Sequence, residues 1–277
     1  MSSTVKAYAK INLFLDITGR LPNGYHTLNT VMQQIDLYDI LRISRTDGGI
    51  NVTCGNPNVP CNEKNIAYRA AAEFFAETGI HGGAEIDIEK NIPLEAGLGG
   101  SSTDGAAVLA ALNSIFGEPL DHEQLCGLGA SLGADVPFCL TGGTAVCGGI
   151  GERIRPIPCK KDYFIVIAKP DFSCNTAQAY RKFDISPIPQ RDGFSRFAAL
   201  LGNGCEAWSG AVYNVFEQLY RDERIEAVTN ELKEKGALCA ALSGSGSAVF
   251  GIFSDENKAK KAAEIINLPF CRVINPV

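Results

Sequence analysis

Residues 93–107 read PLEAGLGGSSTDGAA. Gly97, Gly99 and Gly100 stand directly before a run of hydroxyls, and the hydroxyls open into a stretch rich in Ala, Val and Leu. The first turn of a helix leaves backbone N–H groups unpaired, and the aligned peptide dipoles add partial positive charge there. Glycine lets phosphate oxygens approach such a turn with no Cβ in the way. Ser101, Ser102 and Thr103 add hydroxyl donors, and a serine at this place is also suited to face Mg²⁺. A plain glycine turn before a capped helix explains the same glycines, with Ser101 and Asp104 at capping-box spacing. Familiar phosphate loops do not fit. A P-loop needs Gly-Lys-Ser/Thr, and no lysine lies between 91 and 159. A dinucleotide fingerprint needs a third glycine where Ser102 stands. The His-Arg-Asp and Asp-Phe-Gly of protein kinases are both absent.

Upstream, residues 5–17 (VKAYAKINLFLDI) alternate with period two and predict a strand. Lys10 and Asn12 share one of its faces, because residues two apart point the same way. Pro22-Asn23-Gly24 marks a turn, and 27–46 and 48–54 continue as strand-like segments. From Asn65 to Thr78 apolar residues recur at helical spacing, and Gly79 closes that helix. Residues 84–92 read as a strand running into the glycine loop.

Downstream, Val108, Leu109, Leu112, Ile115 and Phe116 define a helix face, and Asp121 with Gln124 predicts a capped helix over about 122–132. The segment 133–152 reads as loop and short strands. In it, Asp135 precedes Val136-Pro137, where the proline stops helix continuation. On residues alone, Asp135 reads as an aspartate serving a turn. Residues 154–162, with two prolines and mixed charge, give the best domain boundary, so 1–155 and 156–277 are expected as two domains. Beyond it come a buried strand at 163–170, helical patterns at 175–182, 208–220 and 223–235, and a strand–glycine turn–strand at 237–253. A helix at 255–267 and a strand at 270–275 close the chain. Strands and helices mix without strict alternation, which is an α+β pattern.

The 277 residues suffice for two modest domains. The net charge of −6 without a basic run argues against nucleic acid as a partner. No apolar run reaches the roughly 18 residues of a membrane span, and MSSTVKAYAK lacks the apolar segment of a secretory signal. The ten cysteines form no CxxC pair and read as reduced core thiols rather than disulfides or metal ligands. A cytoplasmic protein with no metal site of its own is expected. His81, His122 and Trp208 read as structural or surface residues.

With these residues in view, the loop from Pro93 to Ser102 resembles the phosphate loop of the GHMP kinases, the superfamily of galactokinase, homoserine kinase and mevalonate kinase. Residues 10–15 (KINLFL) resemble the first motif of that superfamily and 242–250 (LSGSGSAVF) the third, in the right order over the whole chain. Three further stretches, 19–39, 131–138 and 142–152, are similar to one branch of it. That branch uses ATP to phosphorylate the 2-hydroxyl of a cytidine-diphosphate-linked methylerythritol, in non-mevalonate isoprenoid precursor synthesis.

The resemblance implies a two-domain α+β GHMP kinase fold with the active site in the interdomain cleft. It implies Asp135 as catalytic base and Lys10 as its partner. The nucleotide falls to Pro93, Leu94, Glu95, Ala96, Gly97, Leu98, Gly99, Gly100, Ser101, Ser102 and Thr103, with Asn65 and Lys90 near the ATP nucleoside. Substrate contacts fall to Asn12, Tyr25, His26, Thr176 and Tyr180. Tyr25 and Tyr180 are expected to sandwich the cytosine while His26 bonds its edge, and the hairpin 243–247 is expected to wall the site. Mg²⁺ is expected with ATP, and a monomer or homodimer with no membrane partner. The loop departs from the branch's usual Gly-Gly-Ser-Ser-Asp/Asn-Ala-Ala, reading Gly-Ser-Ser-Thr-Asp-Gly-Ala here. Its usual Asn-Asp-x-Glu stands as Asn214-Val-Phe-Glu217 and is expected to lie away from the chemistry. A homoserine- or mevalonate-type kinase, or a GHMP-fold protein that binds nucleotide without turnover, are the alternatives.

Overall fold

Two long strands open the chain: β1 (Ser2–Arg20) and β2 (His26–Thr46), joined by the predicted turn. The alternation read at 5–17 holds only in part. From Ala9 to Ile17 every residue is buried, so Lys10, Asn12 and Asp16 lie inside the protein. β3 (Gly49–Cys54), α1 (Ile66–Thr78) and β4 (Gly83–Glu89) follow, then α2 (Gly100–Ile115), α3 (His122–Leu132) and α4 (Val136–Thr141). Next come β5 (Thr144–Gly148), β6 (Arg153–Pro156), β7 (Phe164–Lys169), α5 (Thr176–Ile185), α6 (Phe194–Leu200) and α7 (Cys205–Trp208). β8 (Tyr213–Asn214), α8 (Val215–Tyr220), α9 (Glu223–Glu234), β9 (Cys239–Leu242), β10 (Val249–Phe253), α10 (Glu256–Ile265) and β11 (Phe270–Ile274) complete the chain. This computed structural model describes residues 1–220 and 222–277.

Local signals account for most boundaries. Asn65 caps α1 through the Ala67 N–H, and Gly79 ends it in the left-handed conformation. Asp121 and Gln124 form the predicted capping box of α3. Three readings are corrected. Pro137 starts a helix rather than stopping one: it is the second residue of α4, where its missing N–H would have no intrahelical partner. The helical pattern at 208–220 is interrupted by β8, which pairs parallel with β1 at Phe14 and Leu15. The third concerns the cysteines. All ten are free thiols, but only Cys147, Cys205 and Cys239 are buried.

The chain divides into two compact units of interleaved segments. One comprises Met1–Ala9, Leu37–Ile92 and Gly99–Thr141. In it β4 lies between β3, parallel, and the later half of β2, antiparallel. Phe74 of α1, Leu109 and Leu112 of α2 and Val136 of α4 pack with Leu41, Ile86 and Ile88 in its core. Burial of such side chains contributes about 1.5–3 kcal/mol each.

The other unit comprises Lys10–Asp36, Pro93–Leu98 and Gly142–Val277. Here β5 pairs antiparallel with the first half of β2 and with β6, and a four-stranded antiparallel sheet runs β11-β7-β10-β9. Phe14 sits among Phe194, Phe197 and Tyr213, and Trp208 meets Tyr163 edge-on at 5.2 Å. The expected division at 155/156 falls inside β6. The units interleave because β1 and β2 are each long enough to contribute to both. Among the described residues, no helix is long and apolar enough to cross a membrane.

Candidate active site

The glycine loop is held by its backbone. Leu98 accepts from the Lys10 N–H of β1 at 3.0 Å, and Ala96 from the Ala248 N–H at 3.1 Å. Ser243 Oγ donates to the Gly97 carbonyl at 3.0 Å. A Cβ on Gly97, where φ is +75°, would lie 2.0 Å from the Ser243 carbonyl oxygen. Glycine is therefore required at 97 by the approach of the hairpin 243–247 as well as by the backbone angle.

α2 starts at Gly100 with Gly99 as N-cap and no side-chain cap. The predicted Ser101–Asp104 box does not form, because the Asp104 carboxylate is turned to Lys90 instead. The first-turn N–H groups thus carry no side-chain competitor, which suits an anion. The three hydroxyls differ. Thr103 Oγ1 is buried and donates to the Tyr8 carbonyl at 2.7 Å, whereas Ser101 is exposed and Ser102 half-buried. A turn of the same unit reaches this place: a Cβ on Gly133 would lie 3.9 Å from Ser102 Oγ. Asp135 follows two residues later, half-buried, with its backbone carbonyl accepting from Cys139 N–H at the start of α4. Asn65 spends its side chain on Ala67 N–H and on the Pro60 carbonyl, as a cap.

Lys90 also has a structural setting. Its buried ammonium donates to Asp39 and, at 2.7 Å, to Asp104. Asp39, fully buried, further accepts from the N–H groups of Asn91 and Ile92 at 2.6 and 2.8 Å. Asp104 Oδ1 is buried with no partner among the described residues. Burial pushes the Asp104 carboxyl up, Lys90 draws it down and Asp39 repels it; the net value is about 7. Burial draws the Lys90 ammonium down, but Asp104 and Asp39 together leave it raised.

A carboxyl whose folded pKa exceeds its unfolded one stabilises less as pH rises. Here that loss runs from 3.8 to about 7. Lys90 titrates only above its ordinary 10.5 and leaves that window untouched. Asp104→Asn keeps an acceptor for Lys90 and removes the titration. The difference in unfolding free energy between variant and parent should therefore shift in the variant's favour between pH 4 and pH 8. Each displacement of one in pKa is worth about 1.4 kcal/mol, so the shift is on the order of a few kcal/mol. Urea unfolding at the two pH values measures it, and a constant difference would remove Asp104 as the source.

In the other unit, Lys10 Nζ donates to Asn12 Oδ1 at 2.7 Å, and Asn12 Nδ2 donates to Thr30 Oγ1 at 2.9 Å. Thr30 passes the chain on to the Phe14 carbonyl at 2.7 Å. A Cβ on Gly244 would lie 3.6 Å from Asn12 Oδ1, so Asn12 sits beside the hairpin. A lysine ammonium in this buried chain is aimed and desolvated, unlike one on a solvated edge.

His26 Nε2 meets Asp184 Oδ1 at 2.7 Å, and Arg20 lies 3.5 Å from the other oxygen. The Tyr180 ring stacks on His26 at 4.8 Å with 20° between planes, and Phe183 closes an edge. Tyr25 is 59% exposed. The expected partner of Tyr180 was Tyr25 across a base; here Tyr180 lies on the histidine itself. Thr176, first residue of α5, shares a 2.8 Å hydrogen bond with Ser245. Sequence reading missed Asp184, although it lies four residues after Tyr180 on the same helix face. Asn214 Nδ2, in the segment expected to lie away from the chemistry, donates to the carbonyls of Leu242 and Gly244, at the base of the hairpin. Among the described residues no group of three or more His, Cys, Asp or Glu is arranged to hold a metal.

The chain is similar to known proteins over nearly its whole length. Residues 65–143 match the GHMP kinases N terminal domain, and 211–270 the GHMP kinases C terminal domain. The chain is 42% identical to a 4-diphosphocytidyl-2-C-methyl-D-erythritol kinase of Clostridium botulinum (strain Alaska E43 / Type E3), over 94% of both chains. It is 47% identical to one of Desulfitobacterium hafniense (strain Y51), over 94% of this chain and 90% of that one. A crystal structure of a 4-(cytidine 5'-diphospho)-2C-methyl-D-erythritol kinase superposes with a TM-score of 0.82 at 31% identity, over 99% of both chains. A homoserine kinase from Cytophaga hutchinsonii, 20% identical with a TM-score of 0.78 over 100% of this chain and 95% of that one, shares the fold.

Proposed function

The chain belongs to the family of 4-diphosphocytidyl-2-C-methyl-D-erythritol kinases within the GHMP kinases, and from that premise we propose how its residues carry an ATP-dependent phosphorylation. The γ-phosphoryl group of ATP passes to the 2-hydroxyl of 4-diphosphocytidyl-2-C-methyl-D-erythritol, in cytoplasmic isoprenoid precursor synthesis. The new P–O bond forms at that oxygen, the bond to the β-phosphate oxygen breaks, and ADP leaves. Such a transfer depends on positioning and charge stabilisation more than on covalent help from the protein.

The loop 93–103 holds the phosphates. The observation that carries this is its conformation: glycine-lined, tied at Ala96, Gly97 and Leu98 through backbone carbonyls, and opening on a helix start without a side-chain cap. Ser101 and Ser102 are the hydroxyls available to phosphate, since Thr103 is committed to Tyr8. Ser101 or Ser102 is the hydroxyl that would face Mg²⁺ accompanying ATP, and the ion would neutralise phosphate charge. Asp135 takes the hydroxyl proton, and Lys10, aimed by Asn12, stabilises negative charge on the attacking oxygen. Asn65 and Lys90 stay the candidates beside the ATP nucleoside; the Asn65 side chain caps α1 and the Lys90 ammonium is paired with Asp39 and Asp104. In this division 1–155 carries the nucleotide parts, and 156–277 completes the substrate site through Thr176 and Tyr180.

Cytosine recognition falls to Tyr25, His26 and Tyr180. With Asp184 on Nε2, a neutral His26 presents Nδ1 as an acceptor, the complement of an exocyclic amine. Stacking on a base is worth roughly 1–3 kcal/mol in single-strand binders. Tyr180→Ala should therefore raise KM for the cytidylyl substrate about 5- to 150-fold and leave KM for ATP nearly unchanged. His26→Ala should in addition relax discrimination against a uridine-linked analogue. A coupled ADP-release assay with both substrates is the measurement. If both variants handle the cytidylyl substrate as the parent does, the base reading fails, and homoserine or mevalonate becomes the acceptor to test.

A further inference from the structure

We infer that Asn214 is a positioning residue for the nucleotide phosphates, acting through the hairpin 243–247. The inference rests on the phosphate-loop reading above and extends it to a residue outside the three recognised motifs.

Asn214 is fully buried, and both ends of its side-chain amide are hydrogen-bonded. Nδ2 donates to the Leu242 carbonyl at 2.7 Å and to the Gly244 carbonyl at 2.8 Å, while Oδ1 accepts from Phe216 N–H at 2.9 Å. Its backbone lies in β8, opposite Leu15 of β1. One turn later, the Glu217 carboxylate accepts from the Leu242 N–H. The end of β9 and the start of the hairpin are thus fastened from behind by two side chains of one short segment.

The same hairpin grips the phosphate loop in front. Ser243 Oγ donates to the Gly97 carbonyl, Ala248 N–H donates to that of Ala96, and a Cβ on Gly244 would sit 3.1 Å from Gly97 O. Beside it Ser245 meets Thr176. A displacement of Gly244 would therefore move both the phosphate loop and the start of α5. Few side chains replace Asn214. Two donors on one planar nitrogen are needed for two carbonyls, with an acceptor on the other side. Serine has one donor, aspartate sets a carboxylate against two carbonyl oxygens, and glutamine adds a methylene in a fully buried place.

The test is equilibrium binding of a non-hydrolysable ATP analogue, together with steady-state kinetics, for Asn214→Ser. The control is Ile274→Ala on β11, a buried apolar residue that touches neither hairpin nor loop in any hydrogen bond, chosen to match the loss of thermal stability. Asn214→Ser should weaken analogue binding and raise KM for ATP at least about tenfold, which is 1.4 kcal/mol, while the control binds as the parent does. If the two variants lose affinity equally at equal Tm, Asn214 is only structural and the inference is overturned. Where Asn214→Ser does not fold, Ser243→Ala carries the test, since it removes one hydroxyl at the Gly97 carbonyl. A several-fold loss of analogue affinity supports the inference, and unchanged affinity overturns it. Analogue binding requires no turnover, so failure of the cytidylyl reading leaves this result readable.

Discussion

Asp135→Asn should lower kcat by about 10²- to 10⁴-fold, the range that general acid–base help supplies, with the fold and ATP-analogue binding unchanged. The Asp135 backbone carbonyl accepts from Cys139 N–H, and that hydrogen bond is kept in asparagine. Its half-buried side chain follows the turn at Gly133, beside Ser102 of the first turn of α2. Asparagine is isosteric and cannot take a proton at neutral pH. Single-turnover kinetics with the cytidylyl substrate separates chemistry from release. Near-parental kcat would remove Asp135 from the role of base. Lys10→Met should likewise lower kcat far more than it weakens ATP, because the role proposed for the ammonium is to act on charge that develops only in the transition state. It carries a folding cost, since it leaves Asn12 Oδ1 without the Lys10 donor in a buried place. Kinetics should therefore be read below the variant's own unfolding range.

Gly97→Ala should abolish most ATP affinity, raising KM for ATP well above tenfold. Two costs add. At φ +75° an L residue is strained by about 1–2 kcal/mol, and the new Cβ would lie 2.0 Å from the Ser243 carbonyl oxygen. Backbone at that distance must move, so the hairpin or the loop leaves its place. Gly117→Ala isolates the first cost, because φ is +83° there and a Cβ would meet nothing within 4 Å. It should lose stability and keep its ATP KM. Gly99→Val, with φ +75° at the cap of α2, is expected to weaken analogue binding as well. If Gly97→Ala and Gly117→Ala bind the analogue equally well, the approach of the hairpin has no bearing on the nucleotide.

Local chemistry made much of this protein readable. Asn65 and Gly79 bound α1, and Asp121 with Gln124 starts α3, because caps are decided within four residues of chain. The strand–glycine turn–strand at 237–253 and the last helix and strand are local signals of the same kind. Capping logic failed at Asp104 because a buried lysine outcompetes a helix N-terminus for a carboxylate. It failed at Pro137 because the rule that proline breaks helices reverses in the first turn. β8 escaped notice because two residues are too few to show a period, and they are a strand only by pairing with β1.

The sequence by itself determined the family, the order of the three motifs, the glycine loop and the candidates Lys10, Asp135, His26 and Tyr180. Each is written in a short run of residues whose types and spacing are enough. The tertiary structure alone decided which hydroxyls of that loop are available, that Lys90 is shared between Asp39 and Asp104, and that Asp184 holds His26. It alone decided that Asn214 and Glu217 brace the hairpin. These partners lie 14 to 158 residues apart in the chain. A hydrogen bond depends on distance and direction in space, and separation along the sequence carries neither.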